Sequence, residues 1–421
     1  MGTVLILTVG TTADPLLKAV EEQRAEDPEL SVFVVYGRPF PNQDPNPFDV
    51  AVQVRQRAAE LGVPVETREV SDPEDIDVCL HVARSVLHEA ITADRVVVDF
   101  TGGTKPISAA LVHAAISEPL SGQLVLEYTG GPLRDSAGRV LREAMHLRRS
   151  ERTATEELLR QVLNLLHRSA YREARIFAQR LPDRGRAGFV RRAVEALYAW
   201  DEFDYEASVQ SLRQLYGPAR AMQDVPEVGA VAGLLCRLLE PGNRLERLVR
   251  DLRGLQEGDG PFPPLDATAL LVADALENAA RRLGEERPTD CVLRAYRAVE
   301  CAVQAQLLAR RINPWRPNWD ELERLVLDRY LEAVDKKGLP RELALSTGLR
   351  LLETFEGPLP APLQDRLRDL QLHRNRSYLE HGYQRIKHAD AERLLEYAEE
   401  LCAHILRTDM AGLRSSVTHS V

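Results

Sequence analysis

Along the first 150 residues, short apolar runs take turns with amphipathic stretches. The runs "TVLILTV" (3 to 9), "SVFVVYG" (31 to 37), "VPVETREV" (63 to 70), "DRVVVDF" (94 to 100) and "QLVLEYTG" (123 to 130) are enriched in β-branched residues, as buried strands are. Between them, helical periodicity appears near 14 to 25, 49 to 61, 73 to 91 and 104 to 117. Strand and helix alternating at this interval predict parallel pairing through right-handed crossovers. The expected fold is therefore an α/β, Rossmann-like sheet, whose ligands gather at the carboxyl ends of its strands.

Beyond residue 150 the strand signal disappears. Segments such as "TEELLRQVLNLLHRSAYREARIFAQRL" and "VRRAVEALYAWDEFDYEASVQSLRQLYG" keep a helical period and resemble stacked hairpins without a clear repeat. The prolines and glycines of "QEGDGPFPPLD" (256 to 266) deny both helix and strand, which predicts a linker. Further helices follow it. The expected organisation is an α/β domain over 1–150, a helical connecting domain over 151–262 and an all-helical domain over 263–421.

Composition narrows the class. The chain is 44% hydrophobic and 28% charged, with no apolar run near the roughly 20 residues of a membrane span. Its opening "MGTVLILTVG" lacks a basic leader and a small-residue cleavage site, so it reads as a first strand. Five scattered cysteines (79, 236, 291, 301 and 402) argue against a disulfide framework and against a CxxC zinc site. A cytoplasmic protein without metal or membrane is expected. A net charge of −10 disfavours nonspecific phosphate binding and stable DNA binding, so any RNA site must be local. The basic stretch "RLRDLQLHRNR" (366 to 376) is the candidate, although arginine outnumbers lysine throughout the chain.

Two segments carry chemistry. "VVVDFTGGTKPISAAL" (96 to 111) runs from a strand through Thr101, Gly102, Gly103, Thr104 and Lys105 into a helix. Consecutive glycines let backbone N–H groups converge, and the helix N-terminus adds its positive dipole end, which suits a phosphate. Lys105 supplies charge, while Thr101, Thr104 and Ser108 supply hydroxyls. Neither GxxxxGK[ST] nor GxGxxG is present, so a triphosphate or dinucleotide is disfavoured. The turns after the first two strands bring Thr11, Thr12 and Arg38 to the same sheet edge. The plain alternative is a tight turn capped by Thr104.

In "LRDLQLHRNRSYLEHGY" (367 to 383), Leu367, Leu370, Tyr378, Leu379 and Tyr383 give an apolar stripe, and Gly382 a stop or bend. On one continuous helix, Arg374 and His381 would differ in direction by only roughly 20°, with Asn375 and Ser377 beside them. Such a pair can cleave RNA without metal. The imidazole moves the proton of the 2′-hydroxyl or of the leaving 5′-oxygen, while the guanidinium holds the phosphorane. One helix offers one imidazole for two proton transfers, so a two-fold dimer is expected to complete the site. An exposed basic helix face is the alternative.

Together these segments resemble the CRISPR-associated ribonucleases of type III systems that join a CARF sensor to a HEPN nuclease, of the Csm/Csx class. "DFTGGTKPISAAL" looks like the CARF signature, "RNRSYLEHG" fits the HEPN arginine–histidine pattern, and "LRAYRAVECAVQAQLL" (293 to 308) is similar to a first HEPN helix. The resemblance implies a homodimer whose CARF pair binds a cyclic oligoadenylate, cyclic tetra-adenylate being favoured over hexa-adenylate, with no other cofactor. Binding would switch on cleavage of single-stranded RNA, leaving a 2′,3′-cyclic phosphate. Carried onto this chain, Thr11, Thr12 and Thr101 to Lys105 would contact the ring. Arg374, Asn375 and His381 would form the nuclease site. The sequence departs from the family pattern at Glu380, where a small residue is common. A slow cleavage of the activator by Lys105 with Thr11 or Thr12 is a further expectation. The competing readings are a non-catalytic sensor of the same ligand acting through another protein or DNA, and a metabolic enzyme on a Rossmann sheet.

Overall fold

Five of the six strands among the described residues are those the sequence predicts: β1 (Thr3–Val9), β2 (Ser31–Gly37), β3 (Val65–Val70), β4 (Arg95–Asp99) and β5 (Gln123–Gly130). The computed structural model describes residues 2–40, 46–118, 120, 123–133, 145–334 and 338–419. A sixth strand, β6 (His146–Ser150), pairs antiparallel with β5 at the sheet edge, while the other pairings are parallel. Its sequence "HLRRS" carries little apolar signal because an edge strand has only one paired side. Arg149 fastens it instead, its Nε 2.7 Å from Oε2 of the fully buried Glu127.

The strand order is β3-β2-β1-β4-β5-β6. Helices α1 (Asp14–Glu26) and α2 (Pro47–Glu60) cover one face, where Leu16, Val20, Val50 and Val54 pack on Leu5, Leu7, Val34 and Val97. On the other face, α3 (Ile76–Glu89) and α4 (Lys105–Ser117) bring Val86, Leu87, Ile107 and Leu111 against Ile6, Val96 and Val98. Each such buried side chain contributes roughly 1.5–3 kcal/mol. With both faces covered, the central strands β1, β2 and β4 are apolar nearly throughout rather than alternating, while β3 toward the edge carries polar, part-exposed residues. The order reverses between β1 and β4, which leaves a crevice beyond their carboxyl ends.

The rest is helical: α5 (Glu151–His167), α6 (Tyr171–Ala178), α7 (Gly185–Asp201), α8 (Tyr205–Met222), α9 (Gly229–Glu257), α10 (Leu265–Gly284), α11 (Pro288–Ala309), α12 (Arg324–Ala333), α13 (Leu345–Glu356), α14 (Ala361–Arg376), α15 (His388–Leu406) and α16 (Met410–Val417). Between α9 and α10 the predicted linker begins at Gly258, whose φ of 103° ends the helix in a left-handed cap. The chain divides into two compact units, one of residues 1–164 and 172–191, the other of residues 165–171 and 192–421. No helix among the described residues is long and apolar enough to cross a membrane.

In the second unit α10, α11 and α15 pack together, and α14 lies against α11 and α15. The carboxylates of Asp274 and Asp201 are buried there with hydrogen-bond donors. Asp274 accepts from Trp200 Nε1 (2.8 Å) and Tyr205 Oη (2.6 Å), while Asp201 accepts from Arg281 Nε (2.8 Å) and Asn278 Nδ2 (3.1 Å). Such pairing is what lets charge stay in a core.

Candidate functional sites

At the switch point lies a cavity of about 290 Å³, and its wall includes Thr11, Thr12, Arg38, Thr101, Gly102, Gly103 and Thr104. The loop between β4 and α4 is held from several sides. Thr101 N–H donates to Asp99 Oδ1 (2.7 Å), and Thr101 Oγ1 accepts from Thr129 N–H (2.7 Å). The hydroxyls of Thr8 and Ser108 both donate to Gly102 O at 2.7 Å. Thr104 caps α4, accepting from Ile107 N–H (3.4 Å) and donating to Pro73 O (2.6 Å).

Glycine is required where the loop crosses β1. A Cβ on Gly102 would stand 2.2 Å from Thr8 O and 2.5 Å from Gly10 N, and Gly103 has a φ of 83°. The hydroxyls of Thr101, Thr104 and Ser108 thus serve the loop itself. Thr11 and Thr12 are the cavity threonines, among the described residues, whose hydroxyls are not committed to these bonds. Lys105 is exposed at the first turn of α4 and does not form part of the cavity wall. Arg38 does, while its Nε pairs with Glu69 at 2.9 Å across an exposed surface, a contact worth little that an anion could displace. Phe40 and Pro73 add apolar surface that the sequence reading did not include. Beneath the loop, burial pushes the Asp99 carboxyl up to about 7 despite the Thr101 hydrogen bond, with the neighbouring Glu127 acting in the same direction.

The second constellation differs from its expectation in one respect. Helix α14 stops at Arg376, so Arg374 and His381 do not lie on one continuous helix. Ser377 leaves the helix with ψ at 154°, is fully buried, and donates its hydroxyl to Arg374 O (2.8 Å). A turn follows. Gly382 N–H closes it on Ser377 O (3.1 Å), and Gln384 N–H returns to Arg376 O (2.8 Å). The expected stripe is broken with it: Leu367 and Leu370 are buried, but Tyr378, Leu379 and Tyr383 are exposed.

The turn nevertheless brings the candidate groups together. Arg374 Nη2 lies 2.9 Å from Glu380 Oε2, and the same oxygen is 3.9 Å from His381 Nε2. Arg374 Nη1 donates to Asn375 Oδ1 at 2.9 Å. From α11, Tyr296 places its ring 4.9 Å from the guanidinium carbon, a cation–π contact. The His381 side chain is 78% exposed, so its imidazole is open to a substrate. Ser377 is a structural pin, His373 is held by Asp369 (3.2 Å), and Arg376 is exposed. Sequence spacing gave no sign of Tyr296, which lies far away in the chain.

Residues 265–405 match the family model described as the Csm6 HEPN domain. Among solved structures, the chain is similar to Enterococcus italicus Csm6 bound to cyclic hexa-2′-fluoro-hexa-dAMP, at 12% identity and a TM-score of 0.46, with 100% of each chain covered. No curated protein matches it. The matched stretch contains both Tyr296 and the Arg374–His381 turn. The chain thus carries, over residues 265–405, a stretch that matches the Csm6 HEPN domain, and its N-terminal part is a Rossmann-like sheet with a glycine-lined cavity at its switch point.

Proposed function

We propose that this protein is a cyclic oligoadenylate-activated, metal-independent endoribonuclease that cleaves single-stranded RNA in type III CRISPR antiviral defence. The observation that carries the reading is the turn after α14, which sets an exposed imidazole beside a held guanidinium within a Csm6 HEPN domain. His381 takes the 2′-hydroxyl proton or returns one to the leaving oxygen, and Arg374 stabilises the charge developing on the phosphorane. Asn375 orients Arg374. Two copies of the turn in a cytoplasmic homodimer supply the acid and the base together.

Residues 1–150 act as the sensor, 151–262 as the connection and 263–421 as the nuclease. In the sensor, N–H groups of the Gly102–Gly103 loop, the N-termini of α1 and α4, Thr11, Thr12 and Arg38 suit the phosphates of the activator. Cyclic tetra-adenylate is favoured over hexa-adenylate. Slow cleavage of that ring falls to Thr11 and Thr12, because Lys105 is outside the cavity wall. The test is a labelled single-stranded RNA incubated with protein, chelator, and cyclic tetra- or hexa-adenylate. Activator-dependent cleavage, lost in His381→Ala, is expected. RNA left intact while the activator binds would instead favour a non-catalytic sensor.

A further inference from the structure

We propose that Glu380 is a built-in competitor for the guanidinium of Arg374, its carboxylate holding the place that a phosphodiester of the RNA must take. The inference rests on the nuclease reading of this turn and adds the residue that sets its affinity for substrate.

The guanidinium has few open approaches. Nη1 is engaged by Asn375 Oδ1 at 2.9 Å, the Tyr296 ring covers one face at 4.9 Å, and Nε is buried with no partner among the described residues. The remaining Nη2 edge carries Glu380 Oε2 at 2.9 Å. Carboxylate and phosphodiester present the same kind of oxyanion to a guanidinium, so they compete for that edge. Both side chains are about three-quarters buried, at 25% and 22% exposure, which strengthens the pair beyond a surface contact while leaving it reachable.

Glu380 is also placed to leave. It belongs to the turn after α14, whose anchors are the buried Ser377 on one side and Gln384 N–H on Arg376 O on the other. A shift of the turn's tip costs no helical hydrogen bond. When phosphate displaces the carboxylate from Nη2, the same movement frees His381, whose Nε2 stands 3.9 Å from the same oxygen. Glu380 is therefore a positioning residue, acting on catalysis only through Arg374 and His381.

The experiment compares wild type, Glu380→Gln and Glu380→Asp under full activation, reading KM and kcat separately. Binding of the same RNA is measured in parallel by fluorescence anisotropy with His381→Ala and with the double variant His381→Ala/Glu380→Gln, where cleavage plays no part. Glu380→Gln is expected to lower KM by about 3- to 10-fold with kcat within about two-fold, to tighten RNA binding by the same factor, and to be reversed by Glu380→Asp. Unchanged RNA affinity in the double variant, or a fall in kcat with KM unchanged, overturns the inference and makes Glu380 a support of the turn. Absence of cleavage by the activated wild type removes the nuclease reading instead, and the binding comparison still decides whether Glu380 competes with RNA.

Discussion

Tyr296 carries Arg374: the guanidinium carbon stands 4.9 Å from the centre of the phenol ring, and the two residues come from α11 and α14. The ring face, not the hydroxyl, makes this contact, so Tyr296→Phe is expected to keep RNA cleavage near wild type. Tyr296→Leu is expected to lower kcat/KM by roughly 5- to 30-fold, the loss of one partly desolvated cation–π contact. Cleavage rates for the two variants at saturating activator check this, with far-ultraviolet circular dichroism confirming that α11 remains folded.

Gly102→Ala tests the cavity. The added methyl would sit 2.2 Å from Thr8 O and 2.5 Å from Gly10 N, and both are backbone atoms that cannot rotate away. The end of β1 must move or the loop must open, at a cost of about 2–4 kcal/mol. Activator affinity is expected to fall at least about ten-fold, with a lower melting temperature, while RNA binding in a His381→Ala background stays as it was. Isothermal titration with cyclic tetra-adenylate separates these outcomes.

Much of this was legible in the sequence because burial and periodicity coincide. The central strands β1, β2 and β4 are covered on both faces, so their β-branched runs report them directly. β6 escaped notice because its stabilising contact is the Arg149–Glu127 pair, which looks like surface polarity in one dimension. The turn after α14 was misread for a related reason. Tyr378, Leu379 and Tyr383 continue a helical period yet are 67%, 59% and 84% exposed, and the chain doubles back at Gly382, where a Cβ would lie 2.1 Å from Arg376 O. Spacing picked out an arginine and a histidine that the turn sets against the same carboxylate, while assigning them the wrong local structure. Tyr296 was out of reach, since only the packing of α14 on α11 brings it to Arg374.

Asp99 gives the sheet a pH dependence of definite sign. Its carboxyl, ordinarily near 3.8, is raised to about 7 by burial, with one oxygen on Thr101 N–H and the other unpartnered among the described residues. The folded state therefore holds a proton that the unfolded chain has released between about pH 4 and 7, and stability falls as pH rises through that window. Asp99→Asn keeps an acceptor for Thr101 and removes the ionisation. The variant is expected to gain on wild type between pH 4 and 7 and to level off above, ahead by up to a few kcal/mol. Paired thermal melts from pH 4 to 8 measure the gap; one that stays constant with pH would show that Asp99 does not titrate in this range.

His419 produces the opposite dependence in the helical unit. Its ring is buried against Tyr171 and Trp200, with Nδ1 2.8 Å from Tyr171 Oη. Burial, reinforced by the nearby Arg281 guanidinium, holds its pKa well below the ordinary 6.5, so the imidazole stays neutral and shares a hydrogen bond with the Tyr171 hydroxyl. The unfolded chain binds a proton below pH 6.5 that the folded state refuses, and stability is lost as pH falls, by about 1.4 kcal/mol per pH unit until the folded imidazole also protonates. His419→Asn removes both the packed ring and this penalty. At pH 8 the variant is expected to be less stable by about 2 kcal/mol, from the lost hydrogen bond and ring contacts, and the deficit should shrink steadily below pH 6.5. Urea unfolding of both proteins at pH 8, 6.5 and 5.5 reads the deficit directly. Should it stay the same at all three, the imidazole either titrates normally in the folded protein or is not buried.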